Sequence, residues 1–414
     1  VRPNSSLVVR NARVLGRDGR FSKPCDVAAV DGIIEEVGTR IGGRRDTPEL
    51  DGTGMWLMPG IFDCHAHLSC FEDDTLKYLQ MPTSEWVLHM AANARALLDM
   101  GVTFVRDPGG ADAGVRNALA AGLVDGPTLQ VAVSALSQTG GHTDGFLAGL
   151  GVPASNGFIL HDYPNRPPYV ADGPDGVVRA VREILRAGAD WIKVCTTGGL
   201  LGPLNHDDPD TEEFSAPEIN AITAEARKAG RPVMAHAYGG DGLTNAVVAG
   251  VRSIEHGVRL SEEQASLMAD RGCSLVPTLA IMHQLVNLEQ GGDVNDASAS
   301  RVRDVGRIIG DAVKIAVDAG VRIAVGSDLV AQEGNLRELK HLGDAGMTPE
   351  QVLLAATING AELCGVADTY GRIEPGYVLD AIALRQDPTD LAVFGSDSAV
   401  VGVLKHGGVH RWSE

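Results

Sequence analysis

Residues 57–67 read Leu57-Met58-Pro59-Gly60-Ile61-Phe62-Asp63-Cys64-His65-Ala66-His67. An apolar run ends here in two histidines one residue apart. On an extended segment, residues i and i+2 point to the same side, so both imidazoles face one way at the end of a strand. The same pattern, a short apolar run that closes on polar residues, recurs along the chain. It is found at Leu57–Asp63, Thr103–Asp107, Leu129–Ser134, Trp191–Thr196, Pro232–His236, Arg252–His256, Ser274–Thr278 and Arg322–Asp328. Segments of helical period lie between these runs, clearest at Glu85–Met100, Gly176–Ala187, Ala216–Ala229 and Asp304–Ala319. Eight apolar strands alternating with helices is the pattern of an α/β chain folded as a (β/α)8, TIM-like barrel. Gly101, Gly188 and Gly230 fall between a helix and the next strand and are expected to end those helices.

Outside the alternating region the pattern changes. Ser6–Leu15 and Asp26–Val37 read as short strands, and strand-like stretches return at Leu379–Leu384 and Val400–Leu404. The two ends are expected to build a small β-sandwich domain, residues 1–57 and 370–414, beside a barrel at 58–369. The stretch from Gly140 to Gly173 is long, rich in Gly and Pro, and without periodicity, as functional or mobile loops are.

The bulk properties narrow the partners. At 414 residues and 44% apolar the chain can fill one large barrel. A formal charge of −19 argues against nucleic acid or an anionic membrane surface, both of which call for a basic footprint. No apolar stretch reaches the length of a membrane span, and Val1–Arg10 lacks a signal-peptide core. The six cysteines form no CxxC pair and no compact framework, which reads as reduced thiols and a cytoplasmic location.

Barrel active sites lie at the C-terminal ends of the strands, and metal-competent residues gather there. His65 and His67 follow the first run; taken alone, they could be surface or capping histidines. Lys193 stands inside the apolar run Trp191–Thr196. Burying its ammonium is costly unless the head reaches solvent, finds a partner or is chemically altered. His236 and His256 close the next two runs, and Asp328 closes the last, where a carboxylate also serves as an ordinary helix cap. Any one of these has a bland reading. The order HxH, Lys, His, His, Asp on strands one, four, five, six and eight is specific.

Phe62-Asp63-Cys64-His65-Ala66-His67, His236-Ala237-Tyr238, Glu255-His256-Gly257 and Gly326-Ser327-Asp328 resemble the motifs of the amidohydrolase superfamily. Lys193 with Thr197-Gly198-Gly199 is similar to its imidazolonepropionase-like group, which includes Xaa-Pro dipeptidases, arginine-type carboxypeptidases and ochratoxin-hydrolysing amidases. The likeness runs from Pro59-Gly60 to Gly371-Arg372-Ile373-Glu374-Pro375-Gly376; Tyr377-Val378-Leu379-Asp380 departs from the usual pattern, away from the metal motifs.

The resemblance implies two divalent ions, with Zn foremost and Mn, Co or Fe as alternatives. It implies that His65, His67 and Asp328 bind the more buried ion and that His236 and His256 bind the other. Lys193, carboxylated on its amine by CO2, would bridge the pair. Asp328 would also carry the proton. Tyr238, two residues after His236, and His142, in the glycine-rich stretch Gly140–Gly145, would contact substrate. The bland readings are a packed rim aromatic for Tyr238 and an exposed loop residue for His142. The remaining histidines, His89, His161, His206, His283, His341, His406 and His410, show no such convergence.

The implied activity is hydrolysis of an amide bond, releasing an amino acid from a dipeptide or N-acyl amino acid, by a homo-oligomer. A carbamate, ester or lactam hydrolase would carry the same metal motifs. A non-catalytic scaffold with a retained barrel would be expected to lack several ligands, and here every position is competent.

Overall fold

The computed structural model describes residues 6–42, 47–70, 80–147, 152–153, 166–200, 208–292, 296–329, 334–396 and 399–413. The N-terminal segment forms β1 (Leu7–Val14), β2 (Cys25–Val30), β3 (Ile33–Gly38), β4 (Glu49–Asp51) and β5 (Trp56–Pro59). Then come β6 (Ile61–Asp63), β7 (Val102–Asp107), β8 (Thr128–Val131), β9 (Ala135–Leu136), and the short antiparallel pair β10 (Phe146–Leu147) and β11 (Val152–Pro153). Next are β12 (Ile192–Cys195), β13 (Val233–Ala237), β14 (Ser253–His256) and β15 (Ser274–Val276). The C-terminal segment adds β16 (Ala381–Leu384), β17 (Val400–Lys405) and β18 (Gly408–Trp412).

Both chain ends enter one eight-stranded sheet, ordered β18-β17-β16-β5-β1-β2-β3, with β4 also on β1. Strand β1 pairs with β2 from Leu7 to Ala12, across a register shift between Val9 and Ala12, and with β5 at Arg13 and Val14. Leu7, Val9, Val27, Leu57, Ala383 and Leu404 share one apolar cluster, so strands from both termini bury a common face.

The middle of the chain is α/β with parallel strands. β6, β7 and β8 form one parallel sheet, and β9, β12, β13, β14 and β15 another. Further backbone hydrogen bonds link the two. Asp190 N–H donates to Val131 O at 2.8 Å, tying β8 to the start of β12. Residues 322–328 bond Leu275 on one side (Ala324 N to Leu275 O, 3.0 Å). On the other side Cys64 N donates to Val325 O (2.8 Å) and Asp328 N to His65 O (2.7 Å).

Helices cover the outer faces for reasons visible in the sequence. Helix Gly173–Arg186 has Pro174 in its first turn, Asp175 near its positive end and Arg186 in its last turn. It buries Val177, Ala180, Val181 and Ile184, the i, i+3, i+4, i+7 stripe. Each of the larger three contributes roughly 1.5–3 kcal/mol. Helix Glu262–Arg271 starts with a reciprocal Ser261–Gln264 capping box. Gly101, Gly188 and Gly230 take positive φ (99°, 92° and 67°) at helix ends, as expected.

Three expectations shift. The run Leu57–Asp63 is two strands, not one, because Gly60 marks the crossover: β5 joins the terminal sheet and β6 the parallel one. A side chain at Gly60 would overlap Thr103. Arg322–Asp328 carries one bridge, Ile323 with Leu275, instead of a regular strand. The helix expected over Asp304–Ala319 is two, Asp296–Gly306 and Asp311–Asp318, broken where Gly310 takes φ 91°.

Register decides which side chains meet. Ile192, Val194, Ala235 and Ile254 pack in the outer cluster with the helices, whereas Trp191 and Met234 join Phe62, Phe104 and Val276 in a second, inner cluster. With period two, Lys193 and Cys195 share the face of Trp191, and His236 shares that of Met234. Since Cys195 lies opposite His236, and His236 opposite Glu255, the inner face carries Lys193, His236 and Glu255 together.

Candidate metal centre and active site

His65 and His67 each have one ring nitrogen fixed and the other aimed at a common point. His65 Nδ1 lies 2.7 Å from Glu255 Oε2, and His67 Nδ1 lies 2.9 Å from the Gly109 carbonyl. Their Nε2 atoms then approach the same oxygen, Asp328 Oδ1, at 3.4 and 3.3 Å. Such partners on the far nitrogen are how metal-binding imidazoles are held in tautomer and orientation. His256 Nδ1 lies 2.7 Å from Thr278 Oγ1 and 3.8 Å from Asp328 Oδ2. One donor atom each from His65, His256 and Asp328 falls within 4.8 Å of the others, a His-His-Asp cluster that could hold a metal ion.

The remaining expected residues surround this cluster. The His236 ring lies 4.6 Å from that of His256, with its Nε2 3.1 Å from the Gly198 carbonyl. His142, half-buried rather than exposed, stacks on His236 with centroids 4.1 Å apart. A side chain at Gly199 would overlap the His142 ring, so that glycine makes room for it. Tyr238 is buried, not a rim aromatic, 5.2 Å from the His236 ring and 5.6 Å from that of His256, with its hydroxyl against Met282 Sδ. Lys193 is 4% exposed in the middle of β12, so its ammonium is not snorkelling at the surface as an ordinary lysine would. Of the histidines set aside, His283 and His341 stack on each other and His410 meets Asp99, while His161 and His206 lie outside the described residues.

Electrostatics favour ligand-ready forms at His236, His256 and Asp328, whereas at His67 burial is outweighed by Asp328 and Asp107, which hold the imidazole above its usual range. Burial, reinforced by neighbouring His142, His256 and Lys193, pushes the His236 pKa well below the usual imidazole range. Burial does the same for His256, with His65 and Lys193 adding to it against the pull of Asp328. Both rings are therefore neutral near pH 7, with lone pairs available. Burial also lowers the Lys193 pKa, partly offset by Glu255 and Asp328. Asp328 sits well below the ordinary carboxylate range: burial opposes its charge, but His65 and His67 overcome that.

The backbone stores strain at the same place. His256, Thr278 and Asp328 take φ of 72°, 51° and 54°. Non-glycine residues there cost of order 1–3 kcal/mol each, and such outliers gather at functional sites.

A supporting layer lies beneath, and sequence reasoning missed most of it. Arg106 and Glu255 are both fully buried and paired: Arg106 Nη2 donates to both Glu255 oxygens at 2.8 Å. Arg106 Nε also donates to Cys64 O, Nη1 to Ser253 Oγ, and the guanidinium lies 4.6 Å over the Trp191 ring. Glu255 in turn holds His65. Asp63 accepts from the Ser327 hydroxyl (2.6 Å) and Asn335 (3.1 Å), tying the first motif to the last. Asp107 accepts from Leu68 N and Gly109 N, which sets the carbonyl that orients His67. Arg106 gave the same signal as Lys193, a cation inside an apolar run, and Glu255 stood beside His256 without a role.

The arrangement is that of an α/β protein with a buried His-His-Asp cluster that could hold a metal ion, and comparison with known proteins gives its family. Residues 56–410 match the amidohydrolase family, and the chain belongs to it. It is thereby a hydrolase acting on carbon–nitrogen bonds. Ochratoxinase of Aspergillus niger is 33% identical over 378 residues, covering 86% of this chain and 77% of that protein. A prolidase structure complexed with N-methylphosphonate-L-proline superposes with a TM-score of 0.90 at 31% identity, covering 99% of this chain and 100% of the other. A Xaa-Pro dipeptidase with methionine bound in its active site gives 0.88 at 26% identity, covering 98% and 100%.

Proposed function

We propose that this protein hydrolyses the amide bond of a dipeptide or N-acyl amino acid and releases the amino acid, using two divalent ions. The observation that carries the reading is the convergence of His65, His256 and Asp328, with His67 on the same Asp328 oxygen and Lys193 buried on the face that carries His236. The ochratoxinase, prolidase and dipeptidase likenesses favour an amide over the carbamate, ester or lactam alternatives. In this reading the two parallel sheets close through residues 322–328 as a (β/α)8 barrel over 58–369. The chain ends, 1–57 and 370–414, form a sandwich-like appendage.

The donor set fits such ions: imidazoles and carboxylates suit Zn2+, with Mn2+, Co2+ or Fe2+ as alternatives. His65, His67 and Asp328 would hold one ion and His236 and His256 the other, with Lys193 as a carboxylated bridge. Its lowered pKa favours the free amine that reacts with CO2. When bound, the ions supply Lewis acidity toward a carbonyl and lower the pKa of water. Asp328 accepts the proton of the attacking water on a carboxylate oxygen and returns it to the leaving amine. Tyr238 and His142 flank the imidazole cluster and hold the substrate's carboxylate or the developing oxyanion.

The test is kcat/KM for an N-acyl amino acid and its amide or methyl ester. The free acid is expected to be the better substrate, and His142→Ala to shrink the difference. Equal values in the native enzyme would replace this reading with the carbamate, ester or lactam alternative.

A further inference from the structure

Glu213 is 1% exposed, sits outside every motif discussed above, and lies between the His142 loop and the end of β12. Its own backbone is anchored to the β12 end: Glu213 N donates to Thr196 O at 2.9 Å, and Glu212 bridges Thr197. Its side chain reaches back to the loop. Oε1 accepts the His142 backbone N–H at 2.5 Å, and Oε2 accepts the Ser137 hydroxyl at 2.7 Å. The carboxylate rests directly on Gly141, where any side chain would overlap both Glu213 and Ser137. Next door, Phe214 N donates to Gln138 Oε1 at 2.8 Å, a second tie between the same two segments.

A hydrogen bond to a charged acceptor out of water is among the stronger single restraints on a backbone. Here it fixes the peptide that carries the His142 ring, and that ring has little latitude: one face lies on His236, and Gly199 leaves just enough room for its edge. We infer that Glu213 is a positioning residue that places His142 for recognition of the substrate's free carboxylate. The inference rests on the substrate role given to His142 above. Glu213 acts on specificity through the His142 backbone, and among the described residues its carboxylate bonds Ser137 and His142.

The experiment measures kcat and KM for the matched acid and amide substrates in Glu213→Ala, Glu213→Gln, His142→Ala and the Glu213→Ala/His142→Ala double variant. Backbone amide exchange over residues 138–144 is followed in parallel. Glu213→Ala should raise KM for the acid substrate about ten- to hundredfold, the loss expected for a hydrogen bond to a charged group. Its kcat, and its KM for the amide, should change little. Glu213→Gln should restore most of the acid preference, because glutamine keeps one acceptor oxygen and the Ser137 hydroxyl can accept from its amide. The double variant should be no worse than His142→Ala, since the two act as one unit. Exchange over 138–144 should accelerate in Glu213→Ala.

Additive losses in the double variant, or a fall in kcat with KM unchanged, overturn the inference. If Glu213→Ala does not fold, Ser137→Ala removes the carboxylate's second anchor and should shift KM in the same direction by less; an unchanged KM overturns it. If His142→Ala leaves the acid preference intact, the substrate role of His142 fails and takes the specificity claim with it. The anchoring claim then stands or falls on exchange alone, and unchanged exchange in Glu213→Ala refutes it.

Discussion

Replacing Glu255 by Gln keeps the shape of the side chain and removes its charge, which separates two jobs that this residue performs. Glu255 and Arg106 are both 0% exposed, and the glutamate oxygens take both short bonds from Arg106 Nη2, one from Ser253 Oγ at 2.5 Å and one from His65 Nδ1 at 2.7 Å. Burial opposes the Glu255 charge, but Arg106 and the hydrogen bond from His65 hold the carboxyl far below its ordinary range. Breaking a buried pair from one side costs about 3–5 kcal/mol, because the other charge stays behind. Arg106 keeps the Cys64 carbonyl, Ser253 and the Trp191 ring, which places the expected loss at the lower end, about 3 kcal/mol. The His65 tautomer is no longer enforced, and metal affinity should fall about 10–100-fold. Urea denaturation and metal titration measure the two effects. A further variant, Arg106→Met/Glu255→Met, removes both charges and should recover much of the lost stability while metal affinity stays low. A single Glu255→Gln variant within about 0.5 kcal/mol of the native protein, as for an ordinary surface substitution, would show that the fold does not depend on the Glu255 charge.

Asp328→Asn should retain the fold and at least one ion while turnover drops by roughly 10²–10⁴-fold, read from single-turnover kinetics; near-native turnover would take the proton-carrying role from Asp328. Lys193→Ala should lose metal and activity together, with partial return on adding a small carboxylate such as formate; full metal content in the variant would make the lysine structural. Burial pushes the Glu338 carboxyl up to about 8, partly offset by the backbone N–H groups of Leu279 and Ala280, from an ordinary value near 4.5. The folded protein therefore binds this proton more tightly than the unfolded chain, and its contribution to stability declines as pH rises between those two values. Glu338→Gln should flatten that decline in denaturation curves taken at about pH 5.5 and about pH 8.5, and an unchanged slope would count against it.

Much of this was legible because strand ends are local. The HxH at His65 and His67, and the polar residues closing the runs at His236, His256 and Asp328, needed only period and position to read. The supporting layer was not, since its partners are distant in sequence: Arg106 meets Glu255 149 residues away, and Asp63 meets Ser327 across 264. Glu213 likewise gains meaning only when residues 212–214 fold back over Ser137 and His142. Segment 322–328 read as a strand because it is apolar and extended. Its hydrogen bonds reach Leu275, Cys64 and His65 without forming a regular ladder, and periodicity does not report that. Gly60 was quoted as part of a motif, but its role as the crossover between two sheets depends on the approach of Thr103.

The proposed hydrolysis requires the cluster at His65, His256 and Asp328 to be a working metal centre. The direct measurement is release of free amino acid from a panel of N-acyl amino acids and dipeptides, by protein stripped with a chelator and then titrated with Zn2+ or Mn2+. Activity should be absent in the stripped protein and should climb to a plateau at two ions per chain, in step with binding. Undiminished hydrolysis by metal-free protein, or ions bound to saturation with no hydrolysis of any substrate in the panel, would contradict it.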